Sequence, residues 1–373
     1  MRTGAISGLA EAIVERLEKE QPFVVYRKPN DEVIRAWFPD EVRLDPAEAQ
    51  AVPGFVFAPF DPASPTVLFP QQASEILEAP CADFHFRGKE LASGDKINRI
   101  LKSDKAVEQE ASATGTARSR HEELVSDAIG FIRSGKASKI VISRKERLQV
   151  EQLHPLHVFG SLIDRYTQAF VYLWFHPGIG MWAGASPEML LSIRDETFRT
   201  MALAGTRVWS EGEEPDWGSK EMEEQRMVTE MIEQELGSSL EGVGKPYSQR
   251  AGHLVHLRTD IVGRLEKGSK PEEIIGKLHP TAAICGMPRK EAREFIARSE
   301  GYSREYYTGY LGELMVAGKH HTDLFVNLRC MKLHPKENAA WIYVGGGITE
   351  ASLAEKEWEE TVAKSEVMKG VFS

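Results

Sequence analysis

The sequence predicts an α+β fold in which antiparallel sheets pack against helices, and three observations lead there. Short β-rich runs follow one another through turns as tight as His176-Pro177-Gly178 and Arg194-Asp195. Such turns pair neighbouring strands antiparallel, since a parallel pair needs a crossover of about a dozen residues or more. The C-terminal half repeats the same mixture of helical patterns and closely spaced strand patterns, and no Pro/Gly-rich linker separates it from the first half. One fused two-layer domain over 1–373 is therefore expected.

In chain order, the first twenty residues alternate apolar positions with Glu and Arg as an amphipathic helix does. Phe23-Val24-Val25-Tyr26 and Gly54-Phe55-Val56-Phe57-Ala58 are β-rich runs broken by Pro and Asp turns, and they mark an N-terminal sheet region, 1–102. The stretch 103–119 is Ala, Ser, Thr, Gly and charge and is expected to be a mobile surface segment. The region 120–373 follows with a helix over 121–134, a strand over 139–143 and a helix over 155–166. Three closely spaced strands, 169–175, 180–185 with 189–193, and 197–203, are expected to form a meander. Helices at 220–236, 271–278 and 290–298 come next, then strands at 309–316, 323–333 and 340–345, and a last helix over 354–369.

A chain of 373 residues, 42% apolar and 27% charged, can bury a sizeable core. The formal net charge of −10 gives no broad attraction to nucleic acid or an anionic membrane, although a local basic pocket for an anionic ligand remains compatible with it. Cys81, Cys285 and Cys330 lack CxxC spacing, which argues against a zinc site or a disulfide framework and suits a reducing compartment. The N-terminus lacks the apolar core of a signal peptide and no run has membrane-spanning length, so a cytoplasmic location is expected. Gly242–Lys245 lacks phosphate-loop spacing, Gly345–Gly347 lacks the third glycine of a dinucleotide fingerprint, and Ala185–Pro187 puts a proline where a nucleophile elbow starts its helix.

Two Glu-x-x-Glu pairs carry more information. Glu221 and Glu224 head the stripe Glu221, Glu224, Val228, Met231, Glu235, and Glu357 and Glu360 head the stripe Glu357, Glu360, Lys364, Met368. Steps of three and four place these carboxylates on the inward face of each helix. Inward carboxylates are unfavourable by several kcal/mol unless paired or coordinated, and oxygen-only ligands point to a hard ion such as Mg²⁺. The alternative is that each pair is a solvated helix start, where negative charge is favoured in any case.

Taken in order, several segments resemble the chorismate-utilising enzymes, the family of isochorismate synthase, anthranilate synthase component I, aminodeoxychorismate synthase and salicylate synthase. They are Lys139-Ile-Val-Ile-Ser-Arg144, Gly184-Ala-Ser-Pro-Glu188, Ala204-Gly-Thr-Arg207, Lys220-Glu221-Met-Glu-Glu224, His256-Leu257, Leu278-His-Pro-Thr-Ala-Ala-Ile-Cys-Gly286, Arg304-Glu-Tyr-Tyr-Thr-Gly309, Leu328-Arg329-Cys330, Gly345-Gly-Gly-Ile348 and Glu357-Trp-Glu-Glu-Thr-Val-Ala-Lys364. The resemblance implies large antiparallel sheets with helices outside. It also implies Mg²⁺ held by Glu224 and Glu360 with Glu221 and Glu357 in support, bridging to the substrate's ring carboxylate. Arg329, Tyr307 and the Gly347 amide would meet the second carboxylate, Lys364 would add charge near the first, and Gly205, Thr206, His256 and Ala283 would line the site.

Divergent positions then select a reaction. Members that use a nucleophilic lysine carry it where this chain has Ala204, and ammonia-using members carry glutamine where it has Lys139. Salicylate-forming members tend to carry threonine at the position of Ala283. The resemblance thus implies an isochorismate synthase, in which Lys139 is general base toward water attacking C2 and Glu188 is general acid toward the C4 hydroxyl. Burial favours the uncharged form of either group. Overall resemblance favours menaquinone biosynthesis over a siderophore route. Salicylate synthase and an aminating, anthranilate synthase component I-like enzyme are the alternatives. No glutaminase partner is implied, and a monomer or weak homodimer is expected. Two departures are Val208-Trp209, where Pro-Arg often follows Gly-Thr-Arg, and Gly346, where alanine is usual.

Overall fold

Runs that are apolar up to their last residue, such as Phe23–Arg27 and Phe170–His176, are strands buried on both faces. Alternate side chains point to opposite sides. Val24, Tyr26, Tyr172 and Trp174 enter an aromatic core that both sheets share with Phe57, Phe69, Trp182 and Tyr306, whereas Phe23, Val25, Val171 and Leu173 pack under helices. In a computed structural model, which describes residues 6–44, 52–61, 63–84, 114–209, 215–251, 254–316 and 321–372, these strands build two antiparallel sheets.

The first sheet runs from edge to edge through Gly286–Met287, Lys139–Gln149, Ala339–Ile348, Cys330–His334, Gly180–Ser186, Phe170–His176, Phe23–Arg27, Val33–Pro39 and Ser74–Pro80. The second runs through Leu240–Val243, Leu254–Arg264, Thr197–Val208, Met189–Arg194, Thr322–Val326, Tyr310–Leu314, Gly54–Ala58 and Val67–Pro70, with Tyr247–Ala251 also paired to Leu254–Arg264. The helices Ile6–Glu18, Pro155–Arg165 and Ala354–Lys369 cover the first sheet through residues such as Ile13, Phe159 and Met368. Ser219–Leu236 and Pro271–Leu278 cover the second through Val228, Ile232 and Ile275.

N-terminal strands lie inside this frame. Phe23–Arg27 pairs with Phe170–His176, and Gly54–Ala58 pairs with Tyr310–Leu314.

Three sequence expectations change. The three-strand meander breaks within its middle member, because Gly180–Ser186 belongs to the first sheet and Met189–Arg194 to the second. Pro187 cannot donate to a ladder, which suits a crossing point better than a hairpin. The single strand expected over 323–333 likewise divides into Thr322–Val326 and Cys330–His334, with Arg329 between them at a φ of 46°. The two crossings lie side by side: Val326 N donates to Glu188 O (3.0 Å) and Ala185 N donates to Arg329 O (3.0 Å). Lastly, of the segment expected to be mobile, 103–113 falls outside the described residues, and 114–119 opens the Thr114–Arg133 helix. That extra turn of helix is held by Arg118, which pairs with Glu122 (2.7 Å) and reaches Glu355 of the last helix (3.1 Å).

Candidate active site

The two crossings put Glu188 and Arg329 at one cleft, which is also lined by Gly205, Glu224, His256, Ala283, Tyr307, Gly345, Gly346, Gly347, Glu360 and Lys364. Glu188 is buried, and the loss of hydration raises its carboxyl from the ordinary 4.5 to about 8, with the charge of Lys139 opposing the rise. Its backbone is fixed on both sides, since the Glu188 N–H donates to Ser186 Oγ (3.3 Å) and its carbonyl accepts from Val326.

Lys139 opens the Lys139–Gln149 strand and is 0% exposed. Its Nζ lies 2.8 Å from Glu224 Oε1, an ion pair whose angles miss hydrogen-bond geometry. The side chain fits there because Gly347, paired with Val141 on the adjacent strand, has no Cβ. A Cβ at 347 would sit 2.5 Å from Glu224 Oε1 and 2.8 Å from Lys139 Cε. Gly347→Ala is therefore expected to push the pair apart and lower turnover by about 10-fold or more, as ångström-scale misplacement does, while the thermal midpoint stays close to wild type; steady-state kinetics beside a melting curve checks this. The other two glycines open similar space. A Cβ at 345 would meet Tyr307 Oη at 3.0 Å, and one at 346 would meet Glu357 Oε2 at 3.4 Å and Glu360 Oε1 at 3.8 Å.

All four glutamates therefore turn inward, although the first stripe drifts: Val228, Met231, Ile232 and Leu236 are buried, while Glu235 is exposed. A helix of 3.6 residues per turn carries position 235 off the buried face. Glu221, Glu224 and Glu360 meet Arg207 (3.1 Å), Lys139 and Lys364 (2.7 Å) in turn. Glu357 is 2% exposed. Among the described residues no three His, Cys, Asp or Glu side chains are arranged as a ready metal cage.

Opposite them stands a neutral imidazole against a guanidinium. His256 Nδ1 lies 3.1 Å from Gly205 O, which fixes the proton on Nδ1 and leaves Nε2 to accept from Arg329 Nη2. Burial, with Arg329 and Lys364 nearby, pushes His256 well below its usual 6.5. Desolvation brings Arg329 down to about 10, still charged at neutral pH. Gly205 carries the carbonyl at a φ of 66°, where the ladder register slips between Ala204 and Thr206. Thr206 pairs with His256 across that ladder. Tyr307 is buried, which raises its hydroxyl, and Lys364 Nζ donates to Gly345 O (2.9 Å).

Every residue proposed from the sequence, Thr206 apart, thus has its side chain at this cleft or directly behind it. The sequence reading missed Arg207, which braces Glu221, and the buried Glu300–Arg304 pair. Arg304 stood in a quoted motif without a role, and Glu300 gave no signal. Cys81, Cys285 and Cys330 are all free thiols.

Arg329 and Lys364 bring positive charge, and Glu188 a protonated carboxyl, into a cleft that Glu224 and Glu360 also line. Such an arrangement is that of an enzyme active site. The chain belongs to the chorismate binding enzyme family, whose pattern matches residues 68–370. It is 30% identical over 272 residues to the salicylate biosynthesis isochorismate synthase of Pseudomonas aeruginosa, a match covering 70% of this chain and only 56% of that protein. It is 28% identical over 344 residues to the isochorismate synthase EntC of Escherichia coli, covering 87% of this chain and 83% of that protein. Its fold resembles that of MenF, the menaquinone-specific isochorismate synthase from Escherichia coli, with a TM-score of 0.73 at 22% identity over 96% of this chain and 91% of that one. Among the described residues no helix is long and apolar enough to cross a membrane.

Proposed function

We propose that this chain is an isochorismate synthase, converting chorismate to isochorismate with Mg²⁺, and that it serves menaquinone biosynthesis. The observation that carries the reading is a buried, protonated glutamate at the cleft and, behind it against Glu224, a buried lysine. In its neutral form, Lys139 takes a proton on Nζ as water adds to C2. The ring double bonds shift, and Glu188 gives its proton to the C4 hydroxyl, which leaves as water, so that atoms and charge balance. Arg329 offers a carboxylate a planar fork of donors, and neutral His256 orients that fork without adding charge.

The donor set fits a hard divalent cation, because Glu224 and Glu360 supply only carboxylate oxygens to the cleft and Glu221 and Glu357 stand one helical turn before each. When bound there, Mg²⁺ supplies positive charge for the ring carboxylate. Ala204 offers no nucleophile, and Lys139 stands where an ammonia-using enzyme carries glutamine.

The test is incubation with chorismate and Mg²⁺, with and without ammonium, and chromatography of the products. Isochorismate, lost with EDTA and restored by excess Mg²⁺, is the expected result. Salicylate with pyruvate, or an ammonium-dependent aminated product, would overturn the reading. Glu360→Gln should weaken apparent Mg²⁺ affinity and raise KM for chorismate, each about 10-fold, as expected for one lost charged ligand; an unchanged metal titration removes Glu360 from the site. The menaquinone assignment is checked by whether the gene restores menaquinone in cells lacking isochorismate synthase.

A further inference from the structure

We infer that the buried Arg304–Glu300 pair is a positioning unit for this reaction, in which one guanidinium holds three walls of the cleft in register; the inference rests on the isochorismate synthase reading. The Lys139–Gln149 strand is paired along one edge with Ala339–Ile348 over its whole buried length. Along its other edge the two-residue strand Gly286–Met287 reaches only Ile140 and Lys139, and Cys285 O accepts from Val141 N (2.9 Å). Past that point the edge would present Val141 O and Ser143 N to the protein interior, and buried backbone groups need partners. Arg304 Nη2 donates to Val141 O (2.7 Å), and Glu300 Oε1 accepts from Ser143 N (2.7 Å). The ion pair stands in for the missing strand, two residues from Lys139.

The same guanidinium reaches the other walls. Arg304 Nη1 donates to Ile284 O (2.9 Å) and to Thr308 Oγ1 (3.3 Å), and both residues line the cleft beside Ala283 and Tyr307. The pair itself is closed, with Arg304 Nε on Glu300 Oε2 at 2.8 Å and side chains 1% and 0% exposed. Ser143 Oγ extends it to Glu300 Oε1 (3.0 Å) and Tyr302 Oη (2.6 Å). Neither Arg304 nor Glu300 lines the cleft, so both act through the groups they hold. Arginine is required because five donors in one plane span three carbonyl and hydroxyl targets, whereas an ammonium keeps the charge and loses the span.

Arg304→Lys separates these contributions. Its kcat is expected to fall about 10²-fold with KM for chorismate little changed, as for a misplaced catalytic group. Backbone amides 140–143 should exchange with solvent at least about 10-fold faster, while the Phe170–His176 strand keeps its protection, a local opening and not a global one. Glu300→Gln, isosteric and still able to accept from Ser143, carries the same expectation should the lysine variant not fold. Wild-type kcat per folded molecule overturns the inference. So does protection lost evenly across the fold with activity falling only as the folded fraction falls. If the wild-type chain makes no isochorismate, the function reading fails by itself, and unchanged protection at 140–143 then overturns the positioning role separately.

Discussion

Lys139→Ala is expected to lower kcat about 10³-fold, within the range that a general base contributes, while chorismate still binds. The argument is one of exclusion inside the cleft. Lys364 is committed to Gly345 O and Glu360, and the Nε2 lone pair of His256 is taken up by Arg329. Neither can take a proton from water without abandoning its partner, whereas Lys139 meets Glu224 at angles that miss hydrogen-bond geometry and in its neutral form has a lone pair to offer. Binding should persist because, on the proposed reading, the groups that would meet the substrate carboxylates lie elsewhere, at Arg329 and Tyr307. A fully buried lysine also fills volume, so alanine leaves a void and some loss of stability. Lys139→Met fills most of that void without a base, and should match the alanine variant in kcat and the wild type in thermal midpoint. Rates from product chromatography, set beside a chorismate isotherm for each variant, decide the matter. Turnover near the wild-type rate in either variant removes Lys139 from the base role.

Local patterns showed much of this fold in the sequence, and non-local events hid the rest. The strands at 54–58 and 180–186 and the helices at 271–278 and 354–369 stand where periodicity placed them. Pro187 separates two apolar runs in the sequence, and only the pairing of Gly180–Ser186 with Cys330–His334 and of Met189–Arg194 with Thr322–Val326, distant in sequence, shows the chain leaving one sheet for the other. The Leu254–Arg264 strand was hidden differently. Its polar alternates His256, Arg258 and Asp260 break up the apolar signal, because one serves the cleft and the others pair with each other along an outer strand (Arg258 Nη2 to Asp260 Oδ1, 2.6 Å).

The site follows the same division. Inward-facing Glu221, Glu224, Glu357 and Glu360 could be read from helical spacing, and Lys139 and Glu188 as candidates from co-linear family segments. Which cation holds which carboxylate could not, since Lys139 and Glu224 are joined only by tertiary packing. Glu300 and Arg304 are four apart, a spacing that in a helix signals a solvated ion pair. Here both lie beyond the end of the Arg289–Ser299 helix and are buried, and burial is a property of the assembled sheets.

Glu188→Gln is expected to raise stability at neutral pH and abolish activity together, because one buried proton serves both. The folded chain holds that carboxyl at about 8, against 4.5 for the ordinary group. Between these values the unfolded chain gives up the proton and the native chain keeps it, so the native state binds more protons and stability falls as pH rises. The favourable contribution is complete below 4.5 and gone above about 8. Over most of that window the slope is about 1.4 kcal/mol per pH unit, so at pH 7 the carboxyl lowers stability by roughly 3 kcal/mol relative to pH 4. Glutamine has no such proton and should flatten the dependence, melting above the wild type at pH 7.5 and close to it at pH 4.5. Its amide cannot protonate a leaving hydroxyl, so kcat should fall about 10²- to 10⁴-fold. In the wild type, the same ionisation should switch the rate off as pH rises through about 8, since the acid form is the one that works. A pH–rate profile and melting curves at the two pH values test both halves. A wild-type rate that stays level through pH 8, or a glutamine variant that turns over, removes Glu188 as the acid. Parallel melting behaviour of the two proteins would mean that the carboxyl is ionised in the folded chain.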